Sequence, residues 1–184
     1  MPIQNSSVEL YQLGKGIVSI GAWVGATPPG ALADVGNSPA FDVEITEEKL
    51  EHKSSRSGTS KTDKTVITEA GYTINFTLDE VSVANIARYL AGTIVGSNVV
   101  RANQALGTEF AIEFISDNPI GLNSTWRFHK VTLASNGAFP LIGDEFSEIA
   151  FTGTGLEDTA NNPDSTFFTV TFATTTTTTT TTTT

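Results

Sequence analysis

The sequence predicts a mainly β protein, an antiparallel β-sandwich or barrel with one flanking α-helix at about residues 80–91. Three observations carry that expectation. Apolar residues alternate with polar ones at Phe41, Val43 and Ile45, at Tyr72, Ile74, Phe76 and Leu78, and at Phe110, Ile112 and Phe114. Strands with one polar face belong to antiparallel sheets, because parallel strands are covered on both sides and read as continuous apolar runs. One stretch alone, Asp79 to Gly92, spaces its apolar residues Val83, Ile86, Ala87 and Leu90 by three and four, the helical period.

Taken in order, residues 1–16 are polar and mixed and read as an N-terminal arm. Ile17 to Val24 reads as a strand, followed by a loop rich in breakers: Pro28-Pro29-Gly30, Gly36 and Pro39. Phe41 to Leu50 is a half-buried strand. His52 to Asp63 is a polar, basic stretch that reads as a long loop before alternation resumes at 69–78. Asp79 or Ser82 can cap the helix, Arg88 suits its negative end, and Gly92 can take the left-handed conformation that closes it. A Gly- and Asn-rich linker follows. Beyond the strand at 109–115, Trp126 and Phe128 have one parity and Val131 and Leu133 the other, a phase change that predicts a bulge at His129-Lys130. Phe146, Ile149 and Phe151 predict another strand with a slip, and Phe167 to Phe172 a last one. The β domain thus spans 17–155, with a C-terminal extension at 156–173. Eleven threonines, Thr174–Thr184, end the chain, and a homopolymer cannot define a strand register.

Composition narrows function further. No Cys is present, which excludes disulfides, thiolate metal sites and a Cys nucleophile. No apolar run reaches the ~18 residues of a spanning helix, and the N-terminus lacks a signal-peptide pattern; a non-exported protein without a membrane segment is expected. Phosphate-cradling, nucleophile-elbow and zinc-helix motifs are missing. His52 and His129 are far apart in sequence, and His129, beside Trp126, Arg127 and Lys130, reads as structural. The pairs Glu47-Glu48 and Glu157-Asp158 are neighbours of the kind chance supplies among 20 acids. No catalytic, cofactor-binding or metal-binding residue is expected, and no enzyme.

Charge is the most informative property. Twenty acids and ten bases give −10, which argues against gripping nucleic acid by its phosphates. Five bases and two acids fall between Lys49 and Lys64, so that block is basic by three and the remainder acidic by thirteen. The outward positions of three strands carry Asp42, Glu44, Glu69, Glu109 and Glu113 and no base. Ordinary surfaces mix both signs. A single-sign face suits a channel wall that repels a sliding polyanion. The basic block, with His52, Lys53, Arg56, Lys61 and Lys64, suits a contact arm placed on an acidic neighbour.

Several phrases resemble the tail tube (major tail) proteins of long-tailed bacteriophages. They are Asn37-Ser38-Pro39-Ala40-Phe41 through His52 with the following loop, the strand Tyr72 to Leu78, the helix through Asn85-Ile86-Ala87-Arg88-Tyr89-Leu90-Ala91-Gly92, and Phe139-Pro140-Leu141-Ile142-Gly143-Asp144-Glu145-Phe146 to Phe151. The resemblance covers roughly residues 17–155. It implies a β-sandwich that forms hexameric rings, stacked into a tube whose acidic lumen conducts DNA without specific binding. It also implies tape-measure and tail-tip or terminator proteins as partners, and a virion tail location after synthesis in the host cytoplasm. The loop reaching a neighbouring subunit and ring is, by resemblance, His52 to Lys64. Larger relatives carry an immunoglobulin-like domain, for which no length remains after Gly155.

A different class is a carbohydrate- or protein-binding adhesive β-sandwich. Its mark is an exposed aromatic platform, and here only Trp23 and Tyr11 fall outside the apolar-parity positions.

Overall fold

A computed structural model describes residues 11–25, 31–56 and 58–173. The first ten residues, Pro28-Pro29-Gly30 and the threonine run lie outside the described residues.

The protein is mainly β. Its strands are β1 (Gly16–Ala22), β2 (Ala33–Asp34), β3 (Ala40–Ser54), β4 (Lys61–Leu78), β5 (Thr93–Val95), β6 (Val99–Arg101), β7 (Glu109–Ser116), β8 (Ser124–Ser135), β9 (Ile149–Gly155) and β10 (Phe168–Phe172); the helix α1 is Val83–Tyr89. Eight strands form one sheet in the order β2-β1-β7-β8-β9-β4-β3, with β10 also paired to β8, and every pairing is antiparallel. The sheet folds over on itself: Phe41 of β3 stacks on Phe114 of β7 at 5.3 Å although three strands separate them in the sheet. The facing inner surfaces make a sandwich-like core, and α1 flanks it through Ile86 and Tyr89.

The core follows the predicted alternation. Tyr72, Ile74, Phe76 and Leu78 are buried along β4, and Val18, Ile20, Ile112, Phe128, Val131, Ile149 and Phe151 complete it. Of the eleven Phe, only Phe146 and Phe172 stand largely exposed. Burying such rings removes 150–250 Å² each from water, so they dominate the hydrophobic stabilisation. The predicted bulge is present: β7–β8 partners step from Phe110↔Val131 to Ile112↔Phe128, so Ala111 faces both His129 and Lys130. The extra residue lets Phe128 and Val131 both point into the core.

Gly155 illustrates how tightly this core is packed. A Cβ there would land inside the Tyr72 ring, so the end of β9 can pass over that ring only as glycine.

Several expectations are corrected. The expected long loop at His52–Asp63 is mostly strand, because β3 and β4 continue as a ribbon to Ser54 and Lys61. Thr and Val favour extended backbone, and with neither face buried the ribbon shows no hydrophobic alternation. Ile45, expected inward, is 58% exposed because the core ends at Val43. Phe146 is no part of β9 and is 98% exposed. The linker after the helix holds the β5–β6 hairpin, turning through 96–98.

The helix begins at Ser82, whose side chain accepts a hydrogen bond from the Asn85 N–H at 3.1 Å. The left-handed residue that closes it is Ala91 rather than Gly92. Gly92 serves a different need, since a Cβ there would sit 2.7 Å from the Arg101 carbonyl of β6. Asn85 holds the helix to the sheet. It is buried, donates to the Val35 and Glu80 carbonyls at 2.9 and 3.0 Å, and accepts from Arg88 at 2.8 Å.

Candidate assembly surfaces

The outward face of the sheet is polar, as parity predicts, and one row runs straight across it. Glu44 pairs with Thr73, Thr73 with Thr154, Thr154 with Thr132 and Thr132 with Glu109. Glu44 and Glu109 therefore share one face, at the two ends of a row that crosses five strands. Asp42 opposes Asn75 on the next row, and Asn75 in turn accepts from Thr152 at 2.9 Å.

The single-sign expectation fails on the β7 side of this face. Arg127 of β8 lies opposite Glu113 and grips its Oε2 through Nε, at 2.9 Å, and Nη2. Lys130 reaches Glu109 at 3.1 Å. Reading β7 alone misses these partners, since both bases come from the adjacent strand. On the β3–β4 side, among the described residues, Asp42, Glu44 and Glu69 form no ion pair. Sequence reasoning also missed Glu48, which belongs to this stripe. It lies directly opposite Glu69 in the β3–β4 ladder, continuing the parity of Asp42 and Glu44.

The basic block occupies the far half of the ribbon. His52 pairs with Lys64, Lys53 with Thr62 and Ser54 with Lys61, while Arg56 sits in the connecting turn. Two irregularities, at Glu48/Lys49 and His52/Lys53, twist the ribbon. The His52 ring nitrogen lies 2.5 Å from Asp63, and Lys49 pairs with Glu47 at 3.0 Å. Among the described residues Lys53, Arg56, Lys61 and Lys64 form no ion pair. From Glu44 to Ala70 every described residue except the half-buried Ser54 is exposed, including Leu50 and Val66, which face each other.

A buried polar cluster lies where β8 meets the chain after β9. Asp158 is buried and accepts from Asn161 at 2.7 Å, Asn162 at 2.9 Å and the Trp23 indole at 3.3 Å. Burial works to raise its pKa, but those hydrogen bonds and the nearby His129 prevail and hold the carboxyl below its ordinary range. Burial pushes His129 down, against the attraction of Asp158 and with the repulsion of Arg127. Trp23 is not an exposed platform, for Lys130 covers its ring at 4.3 Å from the centroid. No stretch of sequence announces this cluster, whose members come from β8, the segment after β1 and the turn at 157–162.

No helix among the described residues is long and apolar enough to cross a membrane. The fold and these surfaces define an antiparallel β-sheet protein with a long projecting ribbon. The chain belongs to the family described as "Protein of unknown function UCP028589", whose model matches residues 11–109, more than half of the chain and all of the ribbon and helix. No curated protein matches it.

Proposed function

We propose that the chain is a structural subunit that self-assembles into stacked rings, forming a tube of the bacteriophage tail kind through which DNA passes. The observation that carries this reading is β3. It is a 15-residue strand at the edge of the sheet, paired among the described residues on one side only, and it leads into a ribbon with no described residue packed over either face. An isolated two-stranded ribbon is marginal in water, and a long open edge invites pairing with another chain. Both are explained when a second copy completes them.

The acid stripe Asp42, Glu44, Glu48 and Glu69 then lines the lumen near the paired edges. At spacings near the Debye length of ~8–10 Å such a wall repels phosphates rather than binding them. Glu109 and Glu113, neutralised by Lys130 and Arg127, add little to it. The basic half of the ribbon reaches an acidic neighbour of the next subunit or ring. Tape-measure and tail-tip or terminator proteins are the further partners of this reading, and the virion tail its location.

Electron microscopy of the purified chain at rising concentration, with its mass measured alongside, tests it. Rings or hollow tubes are expected. A chain that stays monomeric even with a tail-tip complex added overturns the reading.

A further inference from the structure

The connection between β8 and β9 carries the most exposed large apolar side chains of the described residues: Leu141, Ile142 and Phe146 are 87%, 96% and 98% exposed. The segment is nevertheless built as a knob. Tyr89 donates to the Gly137 carbonyl at 2.7 Å and its ring packs on Phe139 at 6.0 Å, which fixes the root. Ser147 donates to the Pro140 carbonyl at 3.0 Å and closes the neck. Between the apolar residues stand two acids, Asp144 and Glu145. Three large side chains held in water within six residues mark a contact surface.

A matching receptor exists elsewhere on the same chain. Ala84, Ala87 and Arg88 of α1, Ile94 of β5, Leu106 and Phe110 line an open groove of about 400 Å³. Its lining includes one cation, Arg88, and no carboxylate. The small side chains along the helix make the groove, because Ala at these positions leaves the space a larger residue would fill. The knob does not occupy the groove of its own chain, since its three side chains remain exposed.

We infer that the 141–146 knob of one copy seats in the α1/β5 groove of a second copy, with Asp144 and Glu145 toward Arg88. This rests on the self-assembly reading and names one of its contacts. Knob and groove are different patches, so the contact is heterologous, and its repetition gives a ring or a filament. Three side chains bury less than the ~800 Å² per partner of a stable interface. The contact therefore acts together with pairing at the β3 edge.

The chain has no Cys, so single thiols can be placed at will. Ile142→Cys and Leu106→Cys are made in separate chains, both at exposed positions, mixed in equal amounts and treated with a short bis-maleimide. The expected product is a heterodimer joining the two chains, with little homodimer of either. Equal yields of all three dimers, or none, overturn the contact. A second readout uses Ile142→Asp with Phe146→Asp, expected to weaken self-association by roughly tenfold or more, about 1.4 kcal/mol per factor of ten; unchanged association overturns it. Tubes without cross-linked heterodimer would sink the knob contact and leave the tube reading standing. Heterodimer without rings or tubes would do the reverse.

Discussion

Glu48 and Glu69 face each other as direct cross-strand partners on the outward face of the β3–β4 ribbon, both exposed and neither ion-paired among the described residues. Like charges at such a position disfavour the pairing. A chain that needed only a stable ribbon would have an opposite charge here. Glu69→Lys should stabilise the ribbon by about 0.2–1 kcal/mol, seen as slower amide exchange between Thr46 and Gly71. In an assembled tube the same change should slow DNA passage, and normal passage would count against a lumen role for this stripe.

The ribbon itself can be shortened without touching the core, which begins at Val43 and Tyr72. Replacing residues 53–61 with an Asn-Gly turn, which suits a two-residue hairpin, should leave thermal unfolding nearly unchanged while abolishing ring stacking. Efficient tube growth by this variant would remove the contact-arm role of Lys53, Arg56 and Lys61.

Gly155→Val should lower stability by on the order of 3 kcal/mol, the upper end of overpacking effects. The added side chain and the Tyr72 ring cannot share the space. Thermal denaturation of the variant beside Thr154→Val, one residue away at an exposed position, isolates the packing effect from the change in strand propensity.

Acid sensitivity should trace to His129 and Asp158. Burial lowers the folded His129 value, so the unfolded chain takes up its proton first, near pH 6.5. Stability is then full above that pH and declines as pH falls below it, toward the folded value. Asp158 is also held low, so its contribution is present above about 3.8 and is lost as pH falls through its folded value. Urea unfolding of His129→Gln should show a flatter profile between pH 7 and 5; an identical slope in the variant would assign it elsewhere.

Asn85→Leu should cost on the order of 3 kcal/mol in chemical unfolding. The change strands the Val35 and Glu80 carbonyls and removes the acceptor of Arg88. An effect under half that size would mean that other groups satisfy these atoms.

How much of this was readable beforehand depended on where the apolar contrast lay. Tyr72 to Leu78 and Phe110 to Phe114 were legible because one face is core and the other is not. The parity flip after Phe128 even located the bulge at His129-Lys130. The ribbon from Leu50 to Val66 was illegible as strand because both of its faces are wet, which erases the period of two. Phe146 misled for the opposite reason, as a large apolar residue kept in water. Parity gave the outward position of the acids but not their pairing, because Arg127 and Lys130 meet Glu113 and Glu109 only through a register that a sequence does not print. Asn85 lies inside the helix pattern, and nothing in that pattern marks a polar residue as buried.

Strand β4 runs unbroken from Lys61 at the ribbon's far end to Leu78 in the core. Thr73 to Thr77 are paired on both sides, to β3 and to β9. A pull on the ribbon tip is thus loaded along the strand axis and borne in shear by two ladders at once, with no loop to act as a hinge. Whatever grips Lys61 holds the molecule by a strand whose other end is rooted in the core, and the ribbon is a tow-bar rather than a tether.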